Sequence, residues 1–137
     1  MASPVVAIFN SNDDVVEMLR FALESSGFVV VSGHIDAIRR GGTSLSEFVD
    51  AHDPAVIVYD IVPPYDRSWR FLEHLREATV MRGRRFVLTS TNARHVTEIV
   101  GTHEHVHEIV GKPYDIQKIV GAVQGAIDAS QPERQQQ

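Results

Sequence analysis

The chain has no cysteine among its 137 residues, so disulfides and thiolate metal sites are excluded from the start. It also lacks any apolar run near the roughly 20 residues that span a bilayer, which leaves no candidate membrane anchor. The opening Met1-Ala2-Ser3-Pro4 has neither the basic segment nor the long apolar stretch of a secretory signal, and a cytoplasmic location is therefore expected. Positive charge is scarce as well. With 13 basic against 18 acidic residues the net charge is −5, which disfavours sequence-independent attraction to nucleic acid or to acidic membranes. The one basic cluster, Arg82-Gly83-Arg84-Arg85, reads as a solvated turn rather than a polyanion contact.

What is present is a sequence of short β-type runs. Val56-Ile57-Val58-Tyr59 runs directly into Asp60, bounded by Asp53-Pro54 and Pro63-Pro64, as in a strand buried on both faces of a parallel sheet. Val5 to Phe9, Phe28 to Val31, Arg85 to Ser90 and Val106 to Val110 are the other strand candidates. Helical spacing appears at Val15, Met18, Leu19, Ala22 and Leu23, where Ser11 and Asp14 form a candidate capping box and Gly27 a stop. Leu45, Phe48 and Val49 predict a helix capped by Ser44, and Trp69, Leu72 and Leu75 one from Ser68 to about Thr79. Further helices are expected over Ala93–Val100, ended by Gly101, and from Ile116, where Ile119, Val120, Val123 and Ile127 continue one stripe. His34 to Ile38 is compatible with a short helical turn, and Arg39 to Thr43 with a loop.

Five strands alternating with five helices define an α/β domain over residues 1–130, with a mobile tail at 131–137. The expected architecture is a flavodoxin-like, doubly wound, five-stranded parallel sheet of order 2-1-3-4-5 with helices on both faces. Such a sheet puts every strand's carboxyl end on one edge. Asn10, Ser11, Asp60, Thr89, Ser90 and Lys112 should converge there. A carboxylate, a hydroxyl and an ammonium meeting in a cleft suit a phosphoryl group, with the carboxylate as nucleophile and the others holding the charged oxygens.

The segments Val58-Tyr59-Asp60-Ile61-Val62-Pro63-Pro64, Val87-Leu88-Thr89-Ser90 and Gly111-Lys112-Pro113-Tyr114 together resemble the receiver domains of two-component response regulators. The resemblance implies that Asp60 is the phosphoacceptor, Thr89 the switch hydroxyl and Lys112 the phosphoryl contact, with a cis Lys112-Pro113 bond. It further implies a phosphoacceptor protein, not an enzyme in the ordinary sense, that catalyses its own phosphorylation and dephosphorylation. The phosphoryl donor would be a histidine kinase or phosphotransfer protein, and a downstream protein would dock on the face of helix four, strand five and helix five. Direct nucleic-acid binding is not expected, and a homodimer is compatible.

Departures from the family pattern are concentrated near Asp60. The acidic pair that holds Mg²⁺ in receivers is replaced by Asn10 and Ser11, which leaves Asp60, the Val62 main-chain carbonyl and Asn10 as a weak Mg²⁺ set. A strand continued through Asn12 would instead supply Asp13 and Asp14; otherwise Asp13 favours the dipole of the following helix. Pro64 to Trp69 reads as a bulky loop in which Arg67 faces solvent or an anion, and Ile109 stands at the family's aromatic switch position. His103, His105 and His107 would share one face of an extended segment, as would a weak metal trio. Two other functions stay in view. One is a phosphorylation-independent interaction module with a degenerate metal site, and the other a phosphatase of the haloacid type, disfavoured because Val62 stands where a second aspartate is needed.

Overall fold

Each of the five β-type runs forms a strand, and all five lie parallel in one sheet of order β2-β1-β3-β4-β5. The computed structural model describes residues 3–102, 106–111 and 116–129. The strands are β1 (Val5–Asn10), β2 (Val29–His34), β3 (Val56–Asp60), β4 (Arg85–Ser90) and β5 (Val106–Gly111). The helices are α1 (Asp13–Ser25), α2 (Ile35–Arg39), α3 (Leu45–His52), α4 (Tyr65–Leu75), α5 (Ala93–Val100) and α6 (Ile116–Ala129). A turn of 3₁₀ helix spans Thr79–Met81.

The continuous apolar runs are explained by burial from both sides. Every residue of β3 is buried, as are all but the first of β1 and β4. Alternate side chains feed two separate cores. Val6, Ile8, Val58 and Val87 pack under α1 and α6 with Leu19, Leu23, Ile119 and Val123. Ala7, Phe9, Tyr59 and Leu88 pack on the other face with Ile38, Val49, Trp69, Leu72 and Val96, from α2 through α5. Edge strand β2 is more exposed, and Arg20 of α1 reaches across to it, donating to the Val30 carbonyl at 3.0 Å and to Ser32 Oγ at 2.7 Å.

Several local expectations are corrected. The short helical turn compatible with His34 to Ile38 forms as α2, and it brings the helices among the described residues to six where five were counted. Its cap is His34, whose Nδ1 accepts from the Asp36 N–H at 3.2 Å, a role open to an imidazole but not advertised by residue type. The α1 cap is Asn12 rather than Ser11: Asn12 Oδ1 accepts from the N–H groups of Asp14 at 3.0 Å and Val15 at 3.2 Å. Strand one therefore ends at Asn10, and the register that would bring Asp13 and Asp14 to its end does not form. Both acids lie exposed in the first turn of α1, where they complement its dipole.

The supposed loop from Pro64 to Ser68 is the first turn of α4, which starts at Tyr65 and stops at Leu75 rather than Thr79. Pro64 fits there because the first helical N–H groups have no intrahelical acceptor. Arg84 is not a solvated turn residue. Its Nη1 donates to Asp53 Oδ1 at 2.6 Å and to the Pro54 carbonyl at 2.8 Å, and its Nε to the Val80 carbonyl at 3.0 Å, tying the 3₁₀ turn to the loop before β3. The α3 boundaries are as expected, with Ser44 Oγ accepting from the Glu47 N–H and Asp53 closing the helix in the left-handed region at φ 49°. The 131–137 tail lies outside the described residues.

Candidate functional site

Four polar side chains are fully buried among the described residues, and all four stand at the carboxyl ends of the central strands. Asn10 is 3% exposed at the end of β1, Asp60 1% at the end of β3, and Thr89 and Ser90 1% and 0% at the end of β4. Burial of polar groups is unfavourable unless they find partners. In the β3/β4 ladder Asp60 is the register partner of Thr89, and the Thr89 hydroxyl donates to Asp60 Oδ1 at 2.7 Å. The Ile61 N–H donates to the Thr89 carbonyl at 2.8 Å, which holds the chain close to β4 just past the carboxylate.

The surrounding loops are fixed by short polar contacts. Asn10 Oδ1 accepts from the Asn12 N–H at 2.9 Å, bending the chain out of β1, and Ser90 Oγ accepts from the Asn92 N–H at 3.1 Å, doing the same after β4. The Val62 N–H donates to Ser68 Oγ at 3.3 Å, and Tyr65 Oη lies 2.6 Å from Thr91 Oγ1 with its ring edge-on to His95. The start of α4 is thereby linked to the loop that follows Thr89. Thr91 was not singled out in the sequence, and Ser68 was read there as a helix cap; recognising Pro64 as the helix start would have placed Ser68 one turn in, facing back toward Val62.

Of the sequence candidates, the structure brings Asn10, Asp60 and Thr89 to one edge and leaves Ser11 and Asp13 exposed. Ile109 is half-buried and packs into the core on the α2–α5 face, where an aliphatic side chain belongs. Trp69 is a core residue at 5% exposure. Lys112, the Lys112-Pro113 bond, His103 and His105 lie outside the described residues. His107 is exposed on β5 and lies beside Gly125 of α6. Among the described residues no three histidine, cysteine, aspartate or glutamate side chains gather as a metal site.

The oxygen atoms at this edge are of the kind Mg²⁺ takes as ligands. Asp60 supplies a carboxylate, Asn10 an amide oxygen with a second lone pair, and Val62 a main-chain carbonyl, all oxygen donors of the type Mg²⁺ selects. Next to Asp60, Tyr59 is 1% exposed on the opposite face, and its phenol is pushed up from 10.0 to about 12, chiefly by burial, with Arg39 opposing and Asp60 adding to the shift.

The sheet order 2-1-3-4-5 with helices on both faces is the fold found in solved receiver domains of response regulators. A sensor protein from Polaromonas sp. JS666 superposes with a TM-score of 0.74 at 22% identity, covering 94% of this chain and 99% of that one. A response regulator receiver domain protein from Clostridium thermocellum gives 0.70 at 17% identity over 93% and 97%. The chemotaxis protein CheY4 of Vibrio cholerae gives 0.67 at 16% identity over 91% and 99%. At these identities the likeness carries the fold alone. No family model and no curated protein matches the sequence. No helix among the described residues is long and apolar enough to cross a membrane.

Proposed function

We propose that the chain is a two-component signal receiver that accepts a phosphoryl group on Asp60 from a histidine kinase or phosphotransfer protein and signals through protein contacts. The observation that carries this is the buried Asp60–Thr89 hydrogen bond of 2.7 Å at the carboxyl edge of the sheet. A carboxylate held this way has no packing purpose, and a hydroxyl already aimed at it can follow the added group. In the transfer, an Asp60 oxygen attacks phosphorus, the bond from phosphorus to the donor breaks, and the leaving group keeps the electron pair. The Thr89 hydroxyl then donates to a phosphoryl oxygen instead of the carboxylate, and Lys112 offsets the added negative charge. Mg²⁺, when held by Asp60, the Val62 carbonyl and Asn10 Oδ1, supplies further charge neutralisation at the phosphoryl oxygens. The same groups would serve hydrolysis of the acyl phosphate, making the chain its own phosphatase.

The output surface is assigned to α5, β5 and α6, the equivalents of helix four, strand five and helix five in a five-helix count. The partner is a protein, in the cytoplasm, with a homodimer among the outcomes. The edge-on packing of Tyr65 against His95 of α5 supports coupling toward this surface, because Tyr65 also meets Thr91 in the loop after Thr89.

A second reading, a phosphorylation-independent interaction module, is favoured by Asn10 and Ser11 in place of an acidic pair and by an Asp60 only 1% exposed. Incubation with a small phosphodonor at high Mg²⁺, followed by intact mass measurement, separates the two. The expected result is a gain of one phosphoryl group in the native chain and none in Asp60→Asn. An unmodified chain beside a fully labelled ordinary receiver in the same mixture would leave only the second reading.

A further inference from the structure

A cavity of about 290 Å³ opens between α2 and the start of α4, on the sheet face opposite Asp60. Its walls are unlike a residual packing gap. Ile35, Phe71 and Pro64 provide an apolar side, while Arg39 and Arg67 provide two cations at its margin. Neither guanidinium has an ion-pair or hydrogen-bond partner among the described residues. Asp66, the carboxylate just before Arg67 in sequence, is engaged with Arg70 at 3.1 Å.

The inner end of the cavity holds a second, independent sign of a ligand. Tyr59 lines it, is 1% exposed, and its hydroxyl has no hydrogen-bond partner among the described residues. A buried hydroxyl left in that state is unfavourable by itself, and such groups are characteristically explained by something that binds them. Arg39 is close enough to act electrostatically on the phenol, so the hydroxyl and this cation address the same space. At neutral pH the phenol is protonated and can donate to an anion's oxygen.

We propose that this cavity binds a small organic anion, with Arg39 and Arg67 gripping its phosphate or carboxylate, Tyr59 donating one further hydrogen bond, and Ile35 and Phe71 covering an apolar body. Guanidinium groups match both anion types through paired N–H donors, and their weak hydration makes them suited to a partly closed site. The volume is at the small end for a ligand pocket, which limits the body to about a single ring. The site is separate from the phosphoacceptor because successive residues of a strand face opposite sides, Tyr59 one way and Asp60 the other. The two meet at adjacent residues of β3 and at the connecting loop of Val62 and Pro63, so occupancy of one will be felt at the other.

The test uses phenylphosphonate, whose phosphorus–carbon bond cannot donate a phosphoryl group, so its outcome does not depend on Asp60 being phosphorylated. Titrated into the isotope-labelled full chain, it should bind saturably and shift the amides of Arg39, Tyr59, Val62, Arg67 and Phe71 more than those of Asn10 and Thr89. Arg39→Ala and Arg67→Ala should each weaken binding by about tenfold, and Tyr59→Phe by about fivefold. Inorganic phosphate, lacking the ring, should bind at least roughly tenfold more weakly. The proposal is overturned by no saturable binding up to roughly 10 mM. It is equally overturned by shifts centred on Asn10 and Thr89, by inorganic phosphate binding as tightly, or by an Arg39→Ala/Arg67→Ala chain that binds like the native one.

Discussion

Asp60 faces Thr89 across the β3/β4 ladder, and the Thr89 hydroxyl donates to its carboxylate at 2.7 Å. A hydroxyl at the end of the next strand, Thr89, was a natural partner for a carboxylate at the end of β3, and the parallel register makes it the nearest one. Replacing that hydroxyl by a methyl of similar shape in Thr89→Val removes a donor from a buried carboxylate. This should cost about 1–2 kcal/mol in urea unfolding, with Thr89→Ser recovering most of it. A Thr89→Val chain as stable as the native one would mean the 2.7 Å contact contributes little. For Tyr59 the alternating pattern shows that the side chain is buried but not what its hydroxyl meets. Its raised pKa has a definite consequence. Between 10.0 and about 12 the unfolded chain loses this proton while the folded chain keeps it, so stability present below pH 10.0 declines through that window. At its steepest the decline is about 1.4 kcal/mol per pH unit. Comparing the native chain with Tyr59→Phe by denaturation across the window should show the slope reduced in the variant. Equal slopes would place the titration elsewhere.

Secondary structure was readable wherever one physical requirement dominated a segment. Strands buried on both faces leave little freedom of residue type, so β1, β3, β4 and the final apolar stripe of α6 stand out. The start of α4 was missed because Pro64-Tyr65-Asp66-Arg67 has loop composition, although Pro64 and an acid in the first turn are also helix-start signals. The α1 cap was misplaced by one residue because Ser11 and Asn12 are both good caps, and only the turn made by Asn10 Oδ1 decides between them. Packing between β1 and β2 shows what neither pattern nor propensity reveals. Gly33 is the register partner of Phe9, and a Cβ there would stand 2.6 Å from the Phe9 ring. That ring is fully buried and edge-on to Phe48 at 5.1 Å, so any shift would disturb this packing. Gly33→Ala should therefore destabilise by about 1–3 kcal/mol despite alanine's better strand entropy, and Gly33→Ala combined with Phe9→Leu should recover part of the loss. A neutral Gly33→Ala in thermal unfolding would show that the ring has room to move.

The molecule as a whole is a sheet with two cores that meet only through the strands. One lies under α1 and α6 and the other under α2 to α5, and the polar site sits where both end, at the carboxyl edge. This organisation was legible from strand order alone, because a doubly wound sheet must place crossovers on both faces; the splitting of one crossover into α2 and α3 was legible only as a compatible turn before the Ser44 cap, because a five-residue helix is too short to show a period. Separation of the cores predicts independence of their packing. Ile119 in α6 is fully buried in one core and Ile38 in α2 is 5% exposed in the other. Ile119→Val and Ile38→Val should each cost about 0.5–1.5 kcal/mol, a loss small enough for both single and double variants to remain folded. With no shared partner across the sheet, the double variant should lose the sum to within roughly 0.5 kcal/mol. A larger interaction energy in this cycle, measured by urea denaturation, would mean that strain passes through the sheet from one face to the other. In that case an anion in the cavity on the α2–α4 side and a phosphoryl group on Asp60 would be coupled by the packing of the whole domain, and not only by the Val62–Pro63 loop they share.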